Sequence, residues 1–478
     1  MAKLKNIIKQ LSADDFKTIY DQLVSSNAEK SAHLLKFMRE RQMSDTKIME
    51  TLDVGSNAYY TLRSRLNQKI EEYLLSQMEQ PRTDLMKRVA NINDTVFTKK
   101  LGITLATLKK LEKELLDYDL SNELTIIYKI LKRLHIHTKD SFHYNQQYNR
   151  HVAYMLAIDK AEDLLADYFK KYGNYFLNGT EIEKYELSLL YNELTNVCNL
   201  YQSHRLYVLQ NCVGIFHRLF VDQKVDIEAE EAIEDVFERI EETFDTYFAD
   251  TTYFHMRLVF EFLKLEYYSN IRVFRKADKF YEEVNGKAAL LLSNYRLFTF
   301  SGRFLLSKLE RALRNDAMPE LYEENKELFA DFEADKDDRP TYILYYCYRA
   351  LCCYYVDKYD EACKWLNTLL NEPRIKEFNQ AHIEIKLLLT LQYCLQKDYD
   401  LFNQSVNSIQ RQVRLLGDQQ QMHVTNFIKL LKISLGENKA SKGARLRDAL
   451  TKVLGNRVQH FSPVMLIKMD DKFIEKLM

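Results

Sequence analysis

The sequence predicts an all-α protein, a solenoid of stacked helix hairpins behind a smaller N-terminal helical domain. Three observations predict it. Helix breakers are scarce: the 478 residues include 11 Gly and 5 Pro, and no proline falls between Pro81 and Pro319. Helices there run without a lost amide or a ring clash. Apolar residues recur at intervals of three and four, as in Tyr354, Val356, Ala362, Trp365, Leu366 and Leu369 around their own turn. Polar corners punctuate the long helical stretches at Lys171-Tyr172-Gly173-Asn174, Asn178-Gly179-Thr180, Asn285-Gly286 and Asp335-Lys336-Asp337-Asp338-Arg339-Pro340. Hydrophobic residues at 46% supply a packed core and charged residues at 29% coat it, so a disordered chain is excluded.

Residues 1–140 form the N-terminal helical domain, with shorter helices and visible turns. Asp45-Thr46-Lys47-Ile48-Met49-Glu50-Thr51-Leu52 leads through an Asp53-Val54-Gly55 corner into an amphipathic segment from Asn57 to Ile70. A similar string starts 49 residues later, where Asp94-Thr95-Val96-Phe97 leads through Leu101-Gly102-Ile103 into Ala106-Thr107-Leu108-Lys109-Lys110-Leu111. Each copy reads as a helix-turn-helix-like unit: a polar cap, a short helix, a tight corner and a second amphipathic helix.

Residues 148–436 carry long amphipathic helices. The hairpin signature there is Ala350-Leu351-Cys352-Cys353-Tyr354-Tyr355-Val356-Asp357-Lys358-Tyr359-Asp360-Glu361-Ala362, followed by Leu366. It resembles the tetratricopeptide (TPR) repeat, with Ala350 and Ala362 as the small residues, Tyr359 as the turn aromatic, Asp360 as the acidic start and Leu366 as the packing leucine. The corner recurs 40 residues on at Lys397-Asp398-Tyr399-Asp400-Leu401-Phe402, and 85 residues upstream, where Phe274 and Ala277 take the corresponding places. The resemblance implies a TPR-like α-solenoid, a right-handed superhelix of antiparallel helix pairs that captures a peptide or another protein on one face. Residues 437–478 turn basic, with Lys439, Lys442, Arg445, Arg447 and Lys452 ahead of Pro463, and read as a cap or tail.

A net charge of −1 conceals an uneven distribution. Residues 1–150 hold 25 Lys+Arg against 19 Asp+Glu, residues 151–340 hold 23 against 36, and residues 341–478 hold 20 against 14. The acidic middle repels nucleic acid, whereas the N-terminal part is compatible with phosphate contacts. The acidic stretch of the middle part, 226–250, places Ile227, Ile233, Val236, Phe237, Ile240, Phe244 and Phe248 on one helical stripe, as an outer helix does, its carboxylate face being the alternative docking surface for a basic partner. The seven cysteines are odd in number and lack paired CxxC spacing, and no apolar leader follows Met1. Reduced, buried thiols in a cytoplasmic protein are the expectation. The apolar window 341–356 contains Arg349 and is too short to span a bilayer, so no membrane is expected.

No GxxxxGK[ST], GxGxxG or GxSxG occurs, and the paired carboxylates Glu230-Glu231 and Glu241-Glu242 sit in solvated helical runs. We therefore expect no catalysis and no cofactor. His135, His137, His143 and His151 cluster around Asp140 without the i, i+4 spacing of a helical zinc site, so no metal is expected. The principal expectation is a non-catalytic interaction scaffold whose partner is a protein or peptide. The alternative is a DNA-binding regulator in which Asn57, Tyr60, Arg63 and Arg65, with Lys109 and Lys110 of the second copy, contact the duplex. That alternative requires one exposed basic face unbroken by Glu71, Glu72, Glu112 and Glu114.

Overall fold

The computed structural model describes residues 4, 8, 11, 13–26, 28–39, 45–77, 81–201, 203–222, 231–247, 250–330, 332–416, 421–436, 442–456, 458 and 460–478. Regular structure among them is helical, without strands. The chain forms two compact units, residues 1–117 with 126–141, and residues 118–125 with 142–478.

The first unit contains α1 (Ala13–Ser25), α2 (Glu29–Arg39), α3 (Asp45–Leu52), α4 (Ser56–Gln77), α5 (Pro81–Ala90), α6 (Ile92–Thr98) and α7 (Leu101–Asp117), followed by most of α8 (Ser121–Leu134). Helices α1 to α4 share a core of Ile19, Leu34, Leu35, Ile48, Tyr59, Leu66 and Ile70. Helices α5, α6 and α7 pack on one another, burying Leu85, Val89, Ile92, Leu108 and Leu111.

The α3–α4 corner is where the sequence places it. Asp53 adopts φ 48°, and the Val54 N–H reaches back to the Met49 carbonyl at 3.1 Å. The α6–α7 corner is displaced: Leu101, Gly102 and Ile103 already belong to α7, and the turn falls on Lys99 and Lys100. The reason is that Thr98 and Lys99 end α6 without needing a glycine, so Gly102 is free to enter the next helix.

The second unit holds α9 (Asp140–Asn178) from residue 142 onward, α10 (Glu181–Asn199), α11 (His204–Phe220), α12 (Ile233–Thr246), α13 (Thr251–Asn270), α14 (Phe274–Asn285) and α15 (Ala288–Asn294). It continues with α16 (Arg303–Arg314), α17 (Met318–Leu328), α18 (Arg339–Tyr355), α19 (Tyr359–Leu370), α20 (Asn379–Gln396), α21 (Tyr399–Leu416), α22 (Met422–Ser434), α23 (Lys442–Leu454) and α24 (Asp471–Leu477).

Four hairpins turn on the same corner. Arg272, Asp316, Asp357 and Lys397 each sit in the left-handed region, at φ 60°, 51°, 58° and 59°. In each case the next residue's N–H bonds five residues back, to the carbonyls of Tyr268, Ala312, Cys353 and Tyr393, at 2.9 to 3.0 Å. This is a Schellman closure made without glycine. Five residues past each corner, Ala277, Leu321, Ala362 and Phe402 are buried, and nine past it Tyr281, Asn325, Leu366 and Val406 are buried. The corner at Asp316 has no obvious echo of the Tyr359-Asp360 signature, and sequence reading passes over it.

The first helix of each hairpin also touches the first helix of the next, along α11, α13, α16, α18, α20 and α22. The described residues of 437–478 belong to the second unit. Phe461, Val464, Ile467 and Phe473 are buried with the common core, and the Ser434 hydroxyl donates to the Leu477 carbonyl at 2.6 Å. Of that basic stretch, Lys439 lies outside the described residues, as do Ile227, Glu230 and Phe248 of the acidic stretch. Ile233, Val236, Phe237, Ile240 and Phe244 are buried on α12, opposite its carboxylates. No described helix is long and apolar enough to cross a membrane.

Candidate functional site

The resemblance-derived packing residues divide. Ala350, Ala362, Leu366 and Ala277 are buried in the hairpin cores. Tyr359 is half-buried, its ring 6.2 Å from that of Tyr354. Phe274 and Tyr399, expected to pack, stand at the rim at 38% and 52% exposed, and the Arg314 guanidinium covers Phe274.

The expected DNA-contacting side chains are not one free basic face. Asn57, Tyr60 and Arg65 are exposed on α4, but Arg63 is mostly covered and bonds the Asp45 carboxylate on α3 at 3.2 Å. Lys109 and Lys110 are exposed on α7, and Lys110 lies 3.9 Å from Glu114, which Arg88 also engages. The four histidines divide between the two units, and His135 in the first stays 3.7 Å from Asp140. His135 Nδ1 pairs with the Thr138 hydroxyl at 3.1 Å, whereas His151 is buried near Ser121 in the second unit, where burial lowers its pKa.

All seven cysteines are buried. Burial pushes the Cys198, Cys352, Cys353 and Cys363 thiols up to about 12 and Cys394 to about 11, so none is poised as a thiolate.

Two features of the second unit have the build of sites. The first is a cleft of about 840 Å³ between the C-terminal half of α9, the 296–301 segment and the start of α18. Its closeness depends on Gly173: a Cβ there would meet Pro340 at 2.8 Å. Asp167, Glu183, Asp335, Asp337, Asp338 and Glu377 line it, against Lys170, Arg296 and Arg339. Arg296 is already paired with Asp335, Arg339 with Glu377, and the lining Asp337 with Arg374 at 3.1 Å. Outside these pairs the cleft keeps Asp167, Glu183 and Asp338 against Lys170, a smaller surplus of carboxylate. Asp338 caps α18 by accepting the Thr341 N–H at 3.4 Å, and burial raises its pKa.

The second is a buried polar cluster. Glu384 on α20 is 1% exposed, and its Oε1 meets His423 Nε2 of α22 at 2.5 Å and His460 Nε2 at 3.1 Å, while Ser462 Oγ donates to Oε2 at 2.5 Å. Burial alone would raise the Glu384 pKa, but the two histidine contacts outweigh it and hold the carboxyl ionised below its usual range. Among the described residues, these are the His, Cys and carboxylate groups whose donor atoms lie close enough to share one ion, all within 4.8 Å of one another.

Sequence reading missed all four of these residues. Their separations of 39, 76 and 78 positions leave no local spacing to detect. No protein-family model, curated protein or solved structure matches the chain.

Proposed function

We propose that the protein is a non-catalytic, TPR-like α-solenoid scaffold that binds a basic peptide or protein segment in the carboxylate-rich cleft. Support for the solenoid reading comes from the four hairpins with one shared corner and from the row of first helices that contact in succession. The observation that carries the binding reading is the charge of the cleft: outside the ion pairs of Asp335, Asp337 and Glu377 it is lined by Asp167, Glu183 and Asp338 against Lys170. Such a surface attracts cationic segments and repels anionic ones.

The test is fluorescence anisotropy of a labelled lysine-rich peptide against the full chain over a salt series. Saturable binding that weakens with salt, and falls about tenfold or more in Asp167→Lys plus Asp337→Lys, supports the reading. Equal affinity for a glutamate-rich peptide, or indifference to the charge reversal, refutes it. The DNA-binding alternative rests on the exposed Arg65 and Lys109. It requires duplex binding that falls steeply with salt and is lost in Arg65→Ala plus Lys109→Ala.

A further inference from the structure

We propose that Glu384, His423 and His460 are the protein ligands of a divalent transition metal of the zinc class, a site that ties the C-terminal segment to α20 and α22. Two imidazole nitrogens and one carboxylate oxygen are the donor types that zinc takes in three-ligand sites with one further position for water.

Three observations fit a bound ion at this trio. The first is charge. Glu384 is buried and meets two imidazoles and one hydroxyl, with no lysine or arginine pairing it among the described residues. A buried carboxylate needs compensating positive charge, and a divalent ion held between it and the two imidazoles supplies that charge directly.

The second ground is convergence: both imidazoles aim Nε2 at the same oxygen, Oε1, although a carboxylate has two. The other oxygen is occupied by the Ser462 hydroxyl, so Ser462 holds the carboxylate with Oε1 turned toward the two nitrogens. Outer partners of this kind orient metal-binding carboxylates.

The third ground is distance. An ion about 2.0 to 2.2 Å from each donor in tetrahedral geometry sets neighbouring donors about 3.3 to 3.5 Å apart. The His460 contact at 3.1 Å is already near that value, and the His423 contact at 2.5 Å has to open by about 0.8 Å, within the reach of small side-chain rotations. The ligands come from two helices and a C-terminal loop, so binding closes a long stretch of chain.

The experiment uses the full chain, stripped with chelator and titrated with Co²⁺ and then Zn²⁺. Binding of one Co²⁺ per chain, with visible ligand-field bands that Zn²⁺ abolishes, is the expected result. Ser462→Ala is expected to weaken binding about 10- to 100-fold, and His460→Ala, on the loop, by about 100-fold or more. Absence of stoichiometric binding overturns the proposal and leaves the trio as a proton-sharing network. Binding that is unchanged in folded His460→Ala also overturns it. Should the ligand variants fail to fold, zinc-edge X-ray absorption of the wild-type chain decides: two imidazoles and oxygen in the first shell support the assignment, and sulfur or a single imidazole refutes it.

Discussion

Lys308 offers the sharpest test of how the second unit balances its buried charge. Its ammonium is fully buried on α16, donating to Glu324 Oε1 on α17 at 2.7 Å and to Asn285 Oδ1 on α14 at 2.5 Å, with the Tyr281 hydroxyl at 3.4 Å. Burial pushes the Lys308 pKa down, and the Glu324 contact opposes that shift. Glu324→Gln keeps the shape of the site and removes the counter-charge. Breaking a buried pair this way costs about 3 to 5 kcal/mol. Because the Glu324 side chain is 42% exposed, solvent screens part of that loss, and about 2 kcal/mol is expected. The double variant Lys308→Met plus Glu324→Gln removes the stranded charge as well, and is expected within about 1 kcal/mol of wild type.

The assay is urea unfolding followed by tryptophan fluorescence. The chain's single tryptophan, Trp365, lies on α19 beneath the Arg349 guanidinium, so its emission reports the second unit alone. A Glu324→Gln variant as stable as the double variant would refute the reasoning, since the ammonium would then not depend on its carboxylate.

Further outcomes follow from packing and titration. Leu366→Ala, at a fully buried hairpin position, is expected to cost about 2 to 5 kcal/mol in the same unfolding assay, while Tyr399→Ala at the exposed rim costs under about 1 kcal/mol. Gly173→Ala is expected to destabilise by about 1 to 3 kcal/mol because its methyl collides with Pro340. Gly102→Ala, in open space on α7, is expected to stabilise by about 0.5 kcal/mol, and thermal melts by circular dichroism separate the two signs.

His217 is buried, its Nδ1 2.9 Å from the Tyr168 hydroxyl, and burial lowers its pKa from 6.5 to about 4. The unfolded chain therefore binds the extra proton first. Stability is full above pH 6.5 and declines as pH falls toward 4, by about 1.4 kcal/mol per pH unit from this group. His217→Gln is expected to flatten that part of the pH profile, measured as urea midpoint against pH.

The helical class was legible because it rests on local quantities. Few prolines, few glycines and apolar spacing of three and four act within a turn or two, and they locate helices such as α18 and α19 from the residues alone. The Asp357 hairpin was legible for the same reason. Its sibling at Asp316 was not, because a left-handed corner can be closed by an aspartate, an arginine or a lysine once tertiary packing holds it there.

Charge told a partial story. The basic residues of α4 and α7 were visible, but that Arg63 lies against Asp45 is decided by the angle at which α3 and α4 meet. The cleft draws its carboxylates from segments as far apart as Asp167 and Glu377, and the Glu384 cluster from α20, α22 and the loop beyond α23. Sequence by itself determined which stretches are helical and which faces are apolar, because both follow from neighbours three and four residues away. Only the tertiary structure decided which polar groups are buried together, because convergence of distant side chains depends on how the helices stack, and no local periodicity encodes that.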